Sequence, residues 1–403
     1  MNKITFTYAN LSIWIWIKVI LSIAICAGTT STLFLYALNY VTDTRENNLW
    51  LLLFLPLAGI TIVYLYKKYG PIAKKGNNLL LEEYYSPQGK IPWIMSPLII
   101  MATFITHLFG GSAGREGTAL QYGGTYGDRL AAFFQLDKSQ NRIALMAGVA
   151  AGFGSLFETP FAGAIFALEV FKLGRIRLKA LPIVVITAYT SHIVAHILKA
   201  PHTKYTAIES ITYLDFNNLW IIPVAICCGL AARIFIVSGT VWEKLFGRIT
   251  NEYYRAAAGG LLLLLLIYLS GTTKYIGLGI PSILSAFEAP AASYDFLLKI
   301  IFTTLTLSVG FKGGEVTPLF FIGATLTSFL SLYVPLPLVV MAGLGFVGVF
   351  AGSTKTPLAC ALMTVELFGP ALFPLTLTTC IIATMVSGKQ GIYSSQRNLS
   401  KWF

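Results

Sequence analysis

The feature that most restricts this chain is a recurrence of long apolar runs interrupted by glycine and proline. A helix needs roughly 20 mostly apolar residues to cross the hydrocarbon core of a bilayer. The clearest runs lie near 11–38, 48–66, 91–109, 178–199, 217–237, 257–270, 293–310, 335–350 and 371–387. Between them sit shorter apolar segments at 115–133, 142–157, 160–172, 276–289, 318–332 and 356–369. Many of these are too short to cross alone. Backbone breaks at membrane depth are tolerated only where protein or a watery cavity satisfies them. The expected fold is therefore all-α: residues 1–403 form a single polytopic transmembrane domain with broken and re-entrant helices. Such breaks leave free N–H groups near the midplane, where anions bind.

Composition removes the alternatives. Charged residues make up 11% of the chain and hydrophobic ones 56%. A soluble domain carries about 25% charged residues, so this chain could not cover a water-facing surface. The net charge of +12 raises nucleic acid as a partner. The basic residues argue against it, because they cluster between apolar runs: Lys67, Lys68, Lys74 and Lys75, then Lys172, Arg175, Arg177 and Lys179. That distribution fits cytosolic loops and anionic lipid headgroups, and puts the 67–75 linker on the cytosolic side. Cys26, Cys227, Cys228, Cys360 and Cys380 lie in apolar stretches without metal-ligand spacing and read as small buried hydrophobes. No metal or cofactor is implied. An enzyme would need a nucleophile–base set or a metal cluster at membrane depth, and the sequence offers neither. The first apolar run is too long for a signal-peptide core.

The polar stretch 200–216 divides the chain almost in half. Each half holds one glycine-rich segment with a glutamate: GGSAGREGT at 110–118 and GFKGGEVTP at 310–318. Helix breaks repeated in two halves suggest an internal duplication, inverted in the membrane. The expected repeats are 8–199 and 217–390, followed by a short basic tail at 391–403; the halves share little literal sequence.

Residues 110–124 (GGSAGREGTALQYGG) hold the sharpest chemistry. Gly110, Gly111, Gly114 and Gly117 free the backbone, and a helix can start near Glu116 or Gly117. Its first N–H groups would form a weakly positive nest suited to an anion. A carboxylate at Glu116 would compete for that nest, and protonation would release it. One residue would then gate an anion path and carry a proton. The plainer alternative is a structural glutamate paired with Arg115.

Gly114-Arg115-Glu116-Gly117-Thr118, with Gln121 and Gly123 following, resembles the GREGP signature of the CLC chloride channel and transporter family. The likeness continues through 148–169 (GVAAGFGSLFETPFAGAIFALE), Gly313 to Pro318, Gly323 and Gly391-Ile392-Tyr393, in order along nearly the whole chain. The resemblance implies a membrane homodimer with one pore per subunit, each lined by inverted repeats. It matches Glu116 to the family's external gating glutamate and Tyr393 to its central tyrosine.

Departures from the family pattern refine the expectation. Asn77, in Gly76-Asn77-Asn78-Leu79, stands where the family has a chloride-coordinating serine, and Thr118 replaces the proline after GREG. Glu315-Val316-Thr317-Pro318 replaces Gly-Phe-x-Pro, and Val170 stands where exchangers carry an inner proton-transfer glutamate. These substitutions resemble the fluoride-exporting branch. The resemblance thus implies a fluoride/proton antiporter of a bacterial inner membrane, with fluoride, protons and lipid as partners. The alternative is a chloride or other anion channel, or a chloride/proton exchanger; Val170 taken alone favours a channel.

Fluoride holds its water tightly, so a site that strips it must offer close, directed donors. Asn77 offers an amide, Thr317 a hydroxyl, and the helix start at Pro318 backbone N–H groups. Glu315 leaves two readings open: it sits protonated and donates, or it holds a lysine or backbone group. A helix-capping contact is the plain alternative. Tyr393 can donate its phenol from the inner side. Glu158, Pro160 and Glu169 read as structural. So does His107, while His192, His196 and His202 read as interfacial. Lys312 would add positive potential at a mouth of the path. The polar break at Ser353, Thr354, Lys355 and Thr356 receives no role from sequence.

Overall fold

The structure, a computed structural model, describes residues 13–171, 178–205, 208 and 219–396. Lys172, Arg175 and Arg177, most of the 200–216 connection, residues 8–12 of the expected first repeat and the tail beyond 396 lie outside the described residues. The first half folds into α1 (Ile13–Asn47), α2 (Leu55–Tyr69), α3 (Asn77–Tyr85), α4 (Met95–Leu108), α5 (Glu116–Phe133), α6 (Lys138–Phe157), α7 (Pro160–Phe171) and α8 (Leu181–Ile197). The second half follows with α9 (Ile221–Phe246), α10 (Glu252–Ser270), α11 (Ile280–Glu288), α12 (Asp295–Ser308), α13 (Val316–Leu330), α14 (Leu338–Thr354), α15 (Pro357–Phe368) and α16 (Phe373–Val386). Helix lengths recur in order: α3 and α11 have 9 residues each, α4 and α12 have 14, α7 and α15 have 12.

Among the described residues, four helical spans are long and apolar enough to cross a membrane: α1, α2 with the turn before it (Leu49–Tyr69), α9 and α10. Of the nine apolar runs expected to span, five instead form helices of 14 to 17 residues. The reason is local for two of these. α4 and α12 stop just before Gly110 and Gly310, whose φ angles of 89° and 115° turn the chain inward. Large apolar side chains such as Leu21, Leu33, Leu261 and Leu265 face outward, as lipid contact requires. Cys26 is also exposed, which corrects the expectation that all five cysteines are buried; Cys227 is half-buried.

Small residues set the core spacing. Gly123 and Gly127 of α5 lie directly against Gly148 and Ala144 of α6, so close that a Cβ would strike the facing carbonyl oxygen. Gly323 of α13 and Gly345 of α14 repeat the contact. Without water to drive apolar burial between helices, such backbone approach is what packing supplies in a membrane.

The halves are also cross-braced. Glu169 on α7 accepts the N–H groups of Leu358 (3.2 Å) and Ala359 (2.9 Å) at the start of α15. Glu366 on α15 accepts those of Phe161 (2.9 Å) and Ala162 (2.8 Å) at the start of α7. Each helix begins at a proline, Pro160 or Pro357, whose missing N–H costs nothing there. Each carboxylate satisfies N–H groups the partner helix cannot.

Candidate functional site

Where the halves meet, Gly114 and Gly314 form an isolated antiparallel bridge. The Gly114 N–H donates to the Gly314 carbonyl at 2.6 Å, and the Gly314 N–H to the Gly114 carbonyl at 2.8 Å. Just beyond the bridge one strand becomes α5 at Glu116 and the other α13 at Val316. A Cβ at Gly314 would lie 2.5 Å from the Gly117 nitrogen and 2.9 Å from that of Glu116, so this approach requires glycine. Two helix N-termini, each the positive end of a helix dipole, are thereby held together inside the protein.

The Glu116 side chain, fully buried, folds back onto those N-termini. Its Oε2 accepts the backbone N–H groups of Arg115 and Thr317, each at 3.0 Å. Its Oε1 accepts the Thr317 hydroxyl. The Arg115 guanidinium is near, Nε 3.9 Å from Oε1, and its Nη2 donates to the Thr203 hydroxyl at 3.4 Å. The carboxylate therefore holds donors that a small anion would otherwise use.

A cavity of about 550 Å³ is lined by Lys74, Lys75, Lys312 and Lys389 and also by Asn77, Gln121, Glu315 and Tyr393. Asn77 Oδ1, Gln121 Oε1, Glu315 Oε2, Gln396 Oε1 and the Tyr393 hydroxyl are buried, without a hydrogen-bond partner among the described residues, on side chains that line it. Native proteins rarely leave such groups unpaired, and five around one cavity mark a place for ions or water. Asn77 is the first residue of α3, which follows Gly76 at φ 57°. The turn brings its amide to Gly117, where an added Cβ would lie 3.3 Å from Nδ2. Glu315 is at the N-cap position of α13 but makes no side-chain capping bond. Lys312 donates instead to the Lys74 carbonyl at 3.2 Å and lies over the Tyr66 ring. Val170 lines a separate cell of about 20 Å³, walled by leucines between Asn77 and Tyr393.

Gly114, Arg115, Glu116, Gly117, Val316 and Thr317 thus meet at the helix starts, with Asn77, Glu315 and Tyr393 on the cavity. Thr118 points elsewhere, sharing its hydroxyl with Thr103 of α4 at 2.7 Å. The break at 353–356 holds the segment that carries Tyr393: the Ser353 carbonyl accepts the Ile392 N–H at 2.9 Å, and Thr354 that of the Gln396 amide at 3.0 Å. His107 is fully buried and neither ring nitrogen has a hydrogen-bond partner among the described residues, unlike the satisfied histidine expected. His202 is not a loose interfacial residue: its imidazole is largely buried against Glu158. Sequence reasoning missed α3 as a helix, Gln121 as a cavity residue and Glu366 as a cap.

These features define a multi-pass membrane protein with a buried cluster of hydrogen-bond donors, held by a glutamate, between opposed helix starts. Residues 58–388 match the voltage gated chloride channel family, and the chain belongs to that family, the CLC anion channels and transporters. It is 41% identical over 392 residues to the chloride/fluoride channel protein of Pseudomonas syringae pv. tomato, covering 95% of this chain and 86% of the relative. It is 25% identical to the H(+)/Cl(-) exchange transporter ClcA of Yersinia pestis, covering 77% of this chain and 69% of that protein. The crystal structure of a CLC-type fluoride/proton antiporter superposes with a TM-score of 0.93 at 35% identity, covering 98% of this chain and 100% of that one. The protein's work is CLC-family anion transport across a membrane in which it is a multi-pass component.

Proposed function

We propose that this protein is a fluoride/proton antiporter of a bacterial inner membrane, exporting fluoride while protons move inward. The observation that carries the reading is the Glu116 carboxylate seated on the N–H groups of Arg115 and Thr317. Charged and seated, it excludes an anion; protonated, it loses its claim on three donors and yields the place. Alternation between the two couples the ions, and the gradient supplies the work without catalytic chemistry.

Fluoride rather than chloride is supported by the unpaired polar groups of the cavity. Asn77 offers a directed amide, and Tyr393 a phenol. Glu315 acts in its protonated form, as an O–H donor, since a bare carboxylate would repel the anion. The relatives support the same choice, one being named as a fluoride/proton antiporter and one as a chloride/fluoride channel protein. Recurring helix lengths and mutual capping by Glu169 and Glu366 support two inverted repeats, 8–199 and 217–390. The functional unit in this reading is a homodimer with one path per subunit.

The second reading is a passive anion channel, favoured by Val170 in its apolar cell and by the name of the Pseudomonas relative. Reconstitution in liposomes separates the two, with fluoride efflux, chloride efflux and proton uptake recorded together. Fluoride preference with uphill proton uptake supports the antiporter. Proton-independent flow, with chloride as fast as fluoride, overturns it.

A further inference from the structure

The segment 199–205 crosses the end of the site remote from the lysine-lined cavity. α16 fixes that sidedness. Tyr205 packs on Phe368 and the Ile208 N–H donates to the Phe368 carbonyl at 2.7 Å, just before that helix begins. Lys389, Gln390 and Tyr393, just beyond its other end, line the cavity. The strap is tied at four points. The Lys199 carbonyl accepts the Tyr36 hydroxyl at 2.7 Å. His202 binds the end of α6, through the Ser155 carbonyl at 2.8 Å and Glu158 Oε1 at 3.1 Å. The Thr203 hydroxyl accepts from Arg115 at 3.4 Å. Tyr205 packs its ring against Phe346 and Phe368, bridging to the second half.

The chemistry at His202 is specific. Both ring nitrogens face acceptors: Nε2 the Ser155 carbonyl and Nδ1 the Glu158 carboxyl. A carbonyl only accepts, so Nε2 must bear a proton. Nδ1 then presents a lone pair to a carboxylate unless one further proton lies between the two groups. That proton can be drawn on the imidazole or on the carboxyl with the same composition. Glu158 is held in place for this contact, as the C-cap of α6 in the left-handed region at φ 61°.

We infer that His202 and Glu158 form an outer proton-binding site that latches the 199–205 strap over Arg115 and the Glu116 gate. With its proton the pair closes the strap; without it, lone pair and carboxylate oppose each other and the strap loosens. His202 and Glu158 are positioning residues, acting on the gate through Thr203 and Arg115. The other charged and titratable groups about them are His192 and His196 on α8, Arg115 at the start of α5, and Lys199 and Lys204 on the strap. His192 is within electrostatic range of Glu158 and His202, and its Nδ1 has no hydrogen-bond partner among the described residues, so that nitrogen takes no bond from the pair. The inference rests on the geometry of this face and not on which anion is carried.

The test is labelling of T203C by a membrane-impermeant thiol reagent, from about pH 5 to about pH 8. The rate is divided by that of K204C, an exposed neighbour, which corrects for thiol ionisation in the comparison. The expected ratio rises about tenfold toward high pH, the change that one lost charge-assisted hydrogen bond gives. In the E158Q background it stays low and flat, because a glutamine amide donates to the neutral imidazole without needing the proton. A ratio that is flat in both backgrounds, or that rises equally in both, overturns the latch. Because labelling does not depend on transport, failure here is distinguishable from failure of the fluoride assignment.

Discussion

Replacing Glu116 by glutamine keeps the shape of the gate and removes its charge. The native carboxylate accepts three hydrogen bonds, from two backbone N–H groups and one hydroxyl. A glutamine oxygen placed at Oε2 keeps both N–H donors, while its amide nitrogen faces the Thr317 hydroxyl, which must rotate to accept. Turning charge-assisted bonds into neutral ones costs about 1 kcal/mol each, so the gate is held ~2–3 kcal/mol less firmly. At 1.4 kcal/mol per tenfold, that moves the balance between seated and released side chain by about 30- to 140-fold. An anion competing for the same donors should bind E116Q more tightly by up to that factor, read by calorimetric titration. The amide takes up no proton near neutral pH, so proton uptake in liposomes should fall to the background while anion efflux persists. Two outcomes would refute the reasoning. Proton uptake at the native ratio would remove Glu116 as carrier. Unchanged anion affinity would show that carboxylate and anion do not share one place.

Three further outcomes are expected. G314A forces a methyl against the nitrogens of Glu116 and Gly117; overpacking of this kind costs about 1–3 kcal/mol, so transport should fail at near-normal expression, and native flux would show the bridge to be dispensable. E366A strands two partly buried N–H groups at the start of α7 at up to about 1–3 kcal/mol each, so thermal unfolding in detergent should drop by several degrees while E366Q loses less. E315A should narrow the ratio of fluoride to chloride efflux without abolishing proton uptake; an unchanged ratio would take Glu315 out of anion selection.

Much of the fold was legible because apolar runs and glycine breaks are local. The apolar segments each became a helix or most of one, although α1 and α9 run on well past the expected 38 and 237, to Asn47 and Phe246. α3 was not legible, because Asn77-Asn78 and Glu82-Glu83 confine its aliphatic run to Leu79, Leu80 and Leu81, and nothing local shows that Glu83 and Tyr84 are buried with them. In the site, the helix start at Glu116 was readable from its glycines. Its hold on Thr317 was not, being a contact across 201 residues. The literal repeat was present but overlooked: Glu158-Thr159-Pro160 and Lys355-Thr356-Pro357, each with a glutamate nine residues beyond the proline, Glu169 and Glu366. Only the structure shows why that glutamate recurs, since its partner is in the other half. His202 was misjudged because sequence gives no hint that a residue after α8 returns to the end of α6.

The mutual capping of α7 and α15 has a consequence for how the protein is made and how it works. During synthesis the start of α7 reaches the membrane with its N–H groups uncovered, and the carboxylate that covers them is 205 residues further along. The start of α7 gains its cap only when the second half is in place. Once closed, the exchange of carboxylates acts as a strut across the midline. Rocking the halves apart would strand the N–H groups that each carboxylate covers, at about 1–3 kcal/mol apiece. That cost favours traffic directed by small parts on a stiff frame: one carboxylate, one hydroxyl and one short strap.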